Sequence, residues 1–210
     1  MKKITIALIM VISLIAPIQT MAESVTQNGT IIEPLEQNIE QIIDEITSEP
    51  RPINSDAIQN VKEYISEYFG NLGYDNIEYQ KFEYNDENNE NAIRHSSQAD
   101  VFLASTAENA IVDGIGENII VTKNSSIDTT KNLIISAHYD SAEDSVGAND
   151  NGSGVAAVLE LARILKDTEM PYNIKFILFS GEEKYMLGSR WYVGNLSEDE
   201  RKQIIGVINI

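Results

Sequence analysis

The chain has 210 residues, 42% hydrophobic and 23% charged, a balance that excludes a disordered or fibrous protein and suffices for one domain with a sizeable core. It contains no cysteine, so disulfides, zinc–thiolate sites and thiol catalysis are excluded, and any metal must be held by carboxylate and imidazole groups. The formal net charge of −18 argues against nucleic acid as a partner, because a phosphate backbone calls for a lysine- and arginine-rich surface.

The chain opens on a targeting pattern. Lys2 and Lys3 precede an uncharged apolar stretch from Ile4 to Ile15, and small residues follow around Thr20 and Ala22. This reads as a signal peptide over residues 1–22, cleaved after Ala22, since the apolar stretch is short for a bilayer span, with an uncleaved membrane anchor as the alternative. The mature protein is therefore expected to be secreted, extracellular or periplasmic, without stable membrane association. Residues 23–30 are polar and expected to be loose. From Ile31 to Ile46, Leu35, Ile39, Ile42, Ile43 and Ile46 recur at helical spacing. The prolines of Ser48-Glu-Pro-Arg-Pro52 end that helix. The segment 23–50 is read as a pro-segment or an extra helix in front of the domain proper, which spans 51–210.

Ser55 is a good N-cap for a second amphipathic helix running to about Leu72, with Ile58, Val61, Tyr64, Ile65, Tyr68 and Phe69 on its apolar stripe. Alternation and aromatic content predict a strand over Ile77–Tyr84. Asn85–Gln98 is expected to be a polar surface loop, with short strands at Ala99–Ala104 and Asn118–Lys123. Leu133–Ala137 is a near-continuous apolar run, as a strand buried on both faces requires. A polar loop from Asp140 to Gly152 leads to a helix over Ser153–Lys166, and Ile174–Phe179 and Ile205–Ile210 are further strands. The alternation predicts an α/β fold, a mostly parallel mixed sheet with helices on both faces.

The acidic and imidazole groups fall at particular places in this pattern. His138 ends one buried strand, with Asp140 two residues on, and Glu182 and Glu183 follow the next strand after Ser180-Gly181. Ligands of open α/β sheets bind beyond the carboxyl ends of the strands, so two strands deliver ionisable groups to one edge. Asp150 sits in Gly147-Ala-Asn-Asp-Asn-Gly-Ser-Gly154, whose glycines let the loop fold back toward that edge. Each residue alone has an ordinary reading: a structural histidine, a solvated glutamate pair, a turn aspartate. Their joint placement differs, because clustered carboxylates repel one another unless protons or a metal intervene. The donor set suits zinc, with manganese and cobalt as substitutes, and a bridging carboxylate flanked by His and Glu suggests two ions roughly 3.5 Å apart. One of the adjacent glutamates can bind metal while the other serves as general base.

His138-Tyr-Asp140, the Gly147–Gly154 segment and Ser180-Gly-Glu-Glu183 with Leu187-Gly-Ser189 together resemble the di-zinc aminopeptidase family, which includes bacterial leucyl aminopeptidases, aminopeptidase Y and the glutamate carboxypeptidase II relatives. The resemblance spans about Arg51 to Ile210. It implies a secreted metallo-exopeptidase, most simply an aminopeptidase, acting on peptide or protein substrates with two zinc ions. It further implies that His138 binds one zinc, Glu183 the other, and Asp150 bridges them. Asp140 would orient the His138 imidazole, and Glu182 would take a proton from the attacking water and deliver it to the leaving amine. Two more ligands expected in the family, an Asp after the last strand and a distant His, have no counterpart up to Ile210, and His95 matches no family motif. The sequence is accordingly expected to be the front portion of such an enzyme, lacking its C-terminal part and inactive by itself. Two other readings are a glutaminyl-cyclase-like enzyme with a single zinc and a receptor-like binding domain that keeps the fold without the chemistry. Tyr185, Met186 and Trp191 are candidates for a pocket wall near the glutamates.

Overall fold

A computed structural model describes residues 26–27, 30–31, 35–84 and 113–210. The signal peptide, the Asn85–Gln98 loop, His95 and the strand expected at Ala99–Ala104 lie outside the described residues.

Two short strands, β1 (Thr26–Gln27) and β2 (Thr30–Ile31), pair antiparallel. Helices α1 (Glu36–Ile46) and α2 (Asp56–Asn71) follow. The main sheet comprises β3 (Ile77–Tyr84), β4 (Gly114–Lys123), β5 (Asn132–His138), β6 (Asn173–Phe179) and β7 (Ile204–Asn209). Helix α3 (Ser153–Leu165) connects β5 to β6, and α4 (Leu187–Asn195) and α5 (Glu198–Gln203) connect β6 to β7.

The strand order is β3-β4-β6-β5-β7. The β5–β6 and β5–β7 pairs are parallel, while β4 is antiparallel to both its neighbours. Four strands therefore run one way and β4 alone opposes them, which is the mostly parallel mixed sheet expected. Alternate side chains of each strand serve the two faces. Ile119, Val121, Leu133, Ile135, Phe176 and Leu178 point into the principal core with α1, α2 and α3. Ile120, Ile134 and Ile177 point the other way, onto Tyr192 of α4. Helix α3 is buried nearly throughout, as a connection covered by both sheet and helices must be.

The N-terminal helix departs from expectation in one respect. It starts at Glu36, not Ile31, so Leu35 stands outside it as the N-cap in extended conformation and is 53% exposed rather than part of the apolar stripe. The cause lies on α3. The buried carboxylate of Glu160 accepts from the Leu35 amide at 2.8 Å and from Asn38 Nδ2 at 2.5 Å, pinning the start of α1 there. Arg163 donates to both oxygens of the same carboxylate. Ile39, Ile42 and Ile46 then enter the principal core. Glu160→Ala is expected to lower unfolding free energy by about 2–4 kcal/mol, because it strands a guanidinium and a helix-start amide that the carboxylate now satisfies. Urea denaturation of the wild type and the variant checks this, and a change below about 0.5 kcal/mol would contradict it.

Strand β4 is longer than the predicted Asn118–Lys123 because its ladder with β3 continues to Tyr84 opposite Gly114. Trp191 belongs to packing rather than to a pocket, its ring stacked on Phe82 with centroids 6.1 Å apart.

Candidate metal centre

Parallel register sets His138 at the end of β5 directly beside Phe179 at the end of β6, so both strands release their chains at one level. One more backbone bond, Tyr139 N–H to the Phe179 carbonyl, extends that pairing into the loops. After β6 the chain turns sharply at Gly181, at φ 72°, and presents Glu182 and Glu183. After β5 it passes Asp140 and returns through Ala148–Gly152, a wide turn closed by the Gly152 amide on the Gly147 carbonyl, in which Asp150 itself has an extended backbone at φ −122° and ψ 93°. Gly147 opens that turn at φ 58°, where a Cβ would meet the Asp150 carbonyl oxygen at 2.5 Å and Ser141 Cβ at 2.7 Å. Only glycine fits there without moving Asp150.

His138 is nine-tenths buried and its Nε2 faces the loops. Asp150 Oδ1 lies 3.0 Å from Nε2 and Glu182 Oε2 lies 3.9 Å from it. One ligand atom each of His138, Glu182 and Glu183 fall within 4.8 Å of one another, a spacing at which one ion could be held. The family resemblance implies Asp150 and Glu183 as ligands beside His138 and sets Glu182 apart as the base. In the structure Glu182 belongs with Glu183 to the group within 4.8 Å, while Asp150 flanks the imidazole with a side chain 77% exposed.

Asp140 is fully buried and occupies the centre of the support. Its Oδ1 accepts from the Glu182 amide at 3.1 Å and its Oδ2 from the Glu183 amide at 3.2 Å. Its Oδ1 also lies 3.4 Å from His138 Nδ1, longer than a well-formed bond, and Nδ1 has no other partner. One carboxylate thus governs the imidazole and the backbone of the glutamate pair together. The sequence identified only the first of these two tasks.

Electrostatics at the centre are unbalanced. Burial disfavours the protonated form of His138, but the proximity and charge of Asp140, with Glu182 and Asp150, outweigh it and raise the pKa. The Glu183 carboxyl is likewise pushed up, by burial first and then by repulsion from Asp150, with His138 opposing. Carboxylates gathered around an imidazole nitrogen, each raising a neighbour's affinity for positive charge, fit a divalent cation of the zinc type. The orphaned Nδ1 aimed at Asp140 fits the same conclusion, since metal-bound histidines are oriented through their second nitrogen.

Beside the centre lies a cleft of about 420 Å³, lined among others by His138, Glu182, Asn151, Phe179, Met186 and Val193. Met186 is thereby placed where the sequence suggested a pocket wall. Asn151 was not anticipated. It accepts from the Gly154 amide at the start of α3 and donates to the Ile210 carbonyl, tying the Asp150 turn to the end of β7. Asn118 was also missed. Buried on β4, it accepts from the Ser180 amide and donates to the Gly188 carbonyl, fixing the loop that carries the glutamates.

Residues 118–210 match Peptidase family M28. Aminopeptidase YwaD of Bacillus subtilis is 44% identical over 95 residues, 45% of this chain and 21% of that protein, so the chain spans about a fifth of that relative's length. In fold, the chain is similar to BSAP, a zinc aminopeptidase from Bacillus subtilis, with a TM-score of 0.66 at 18% identity over 82% of this chain and 68% of that one. A glutaminyl cyclase from Porphyromonas gingivalis is also similar, with a TM-score of 0.59 at 18% identity over 90% of this chain and 58% of that one.

Proposed function

We propose, from the match of residues 118–210 to Peptidase family M28, that the protein is a zinc metallo-exopeptidase releasing residues from the amino end of peptides. The observation that carries the reading is the convergence of His138, Glu182 and Glu183 within 4.8 Å, with Asp150 on the same imidazole nitrogen. His138, Asp150 and Glu183 would hold the metal, Asp150 shared between two ions. Zinc, when bound, polarises a scissile carbonyl and stabilises the charge developing on its oxygen. Glu182 is the base. It stands at the cleft with its side chain 41% exposed, so it can reach both a water and a peptide amine. It takes the proton of the attacking water and returns it to the departing amine. Asp140 keeps the His138 ring and both glutamates in place throughout.

The relative of 44% identity is named an aminopeptidase, and this favours the amino end over the carboxyl end. The charged start and apolar stretch of residues 2–15 favour action outside the cytoplasm. Among the described residues no helix is long and apolar enough to cross a membrane.

The test is metal-dependent turnover by the protein that carries this chain. Chelation is expected to abolish release of the anilide from leucyl anilide, and added zinc to restore it. Full turnover in protein shown to be metal-free would overturn the proposal. A peptide beginning with glutamine, run alongside, separates the cyclase reading suggested by fold similarity. Shortening by one residue supports the peptidase, whereas loss of ammonia at constant length identifies a cyclase.

A further inference from the structure

Arg51 lies 87 residues before His138 and outside the segment that matches the peptidase family, yet its side chain is fully buried beneath the candidate metal centre. Its Nε donates to the Tyr139 carbonyl at 2.7 Å, its Nη1 to the Val146 carbonyl, and its Nη2 to the Gly147 carbonyl at 3.0 Å. Its backbone joins the same loop: the Arg51 amide donates to Ser141 Oγ at 3.0 Å and its carbonyl accepts from the Ser141 amide at 3.2 Å. One planar group therefore grips both ends of the loop between β5 and the Asp150 turn. Tyr139 is the residue between His138 and Asp140. The Gly147 carbonyl also accepts from the Gly152 amide at 2.8 Å, closing the turn that holds Asp150. Ile53, two residues after Arg51, reaches the other loop, where its Cδ1 lies against Gly181, just before the glutamate pair.

A buried guanidinium is costly unless its donors are matched, and here three of them meet carbonyls in one fork that a lysine cannot reproduce. The charge is also placed close enough to act on Asp140 and Glu183. We propose that Arg51 is a positioning residue for the metal centre, fixing the separation of His138 and Asp150 by bridging the two ends of the loop that joins them. It touches no substrate and acts through these ligands. The inference rests on the metallopeptidase reading, and it adds to that reading a residue from in front of the matched residues 118–210.

Cobalt, a spectroscopically visible substitute for zinc, reads the effect without turnover. Cobalt is titrated into the metal-free protein that carries this chain, following visible absorption, for the wild type, Arg51→Lys, Ser141→Ala and Ile65→Ala. Arg51→Lys keeps the charge and loses the fork, and is expected to weaken cobalt binding roughly 10- to 100-fold and to alter the absorption bands. Ser141→Ala removes the hydroxyl that accepts from the Arg51 amide and donates to the Ser145 carbonyl of the same loop, and a loss of about three- to ten-fold is expected. Ile65→Ala cuts into the core on α2, away from the loops, and is expected to lower thermal stability while binding cobalt as the wild type does. Wild-type affinity and spectrum in Arg51→Lys overturn the inference, as does an equal loss in Ile65→Ala, which would mark the effect as general loosening. If Arg51→Lys does not fold, Ser141→Ala decides alone, and unchanged binding there overturns it. Failure of the wild type to bind cobalt or zinc at all would instead remove the metallopeptidase reading, and this inference with it.

Discussion

Replacing Glu182 by Gln is expected to lower kcat for aminoacyl-anilide hydrolysis about 10²- to 10⁴-fold in the protein that carries this chain, the range that general acid–base catalysis supplies. The amide cannot accept a proton at neutral pH, yet its size and shape match the carboxylate. Asp140 holds position 182 through the backbone amide, which the substitution leaves intact. Fold and thermal midpoint should therefore be unchanged. Glu182 also lies in the group of potential ligands, so the metal content of the variant separates two roles. Retained zinc with lost turnover identifies a base. Zinc lost in proportion to activity makes Glu182 a ligand and shifts the base role to Glu183. Undiminished turnover removes Glu182 from the chemistry altogether.

The second large effect is expected at Asp140. Asp140→Asn retains volume but offers one acceptor where the structure uses two, so the amide NH₂ must face either the Glu182 or the Glu183 amide. The loss of a charge-assisted bond in a fully buried position, with a donor left opposing a donor, is expected to cost about 2–4 kcal/mol of stability. Metal affinity should fall roughly 10- to 100-fold as well, because the His138 ring loses its orienting charge. Denaturant unfolding of the metal-free protein measures the first effect and zinc titration the second. A variant with wild-type values in both would show that Asp140 is incidental to the site. A loss of stability with unaltered zinc affinity would confine its role to the glutamate loop.

These two residues also show how far the sequence could be read. The paired glutamates after a buried strand are legible as one ligand and one base because local order along the chain sets their placement, and the resemblance to the di-zinc aminopeptidase family is what implies that Glu182 is the base. Asp140 was assigned one partner, two residues away, and has two more at separations of 42 and 43 residues. The strands were legible for the same reason as the motif. Ile77–Tyr84 is a strand with the bounds that its alternation predicts, and the apolar runs at Leu133 and Ile174 are buried strands extended by one residue at one end or both. The start of α1 was not legible, because Glu160, on a helix more than a hundred residues away, decides it.

The sequence by itself determined the chemistry available: no thiols, a histidine at a strand end, carboxylates at two loops on one sheet edge, and the order in which they come. Side-chain type and periodicity are local properties, and burial follows from them through the hydrophobic effect. The tertiary structure alone decided what holds those groups in register. Arg51 meets carbonyls 88 to 96 residues onward, Asn118 meets the loop before the glutamates, and Asp140 meets the amides of the pair itself. The physical reason is that each of these contacts uses a backbone N–H or C=O. Nearly every residue carries both, so the identity of the partner leaves no mark in the sequence and emerges only when the chain is folded.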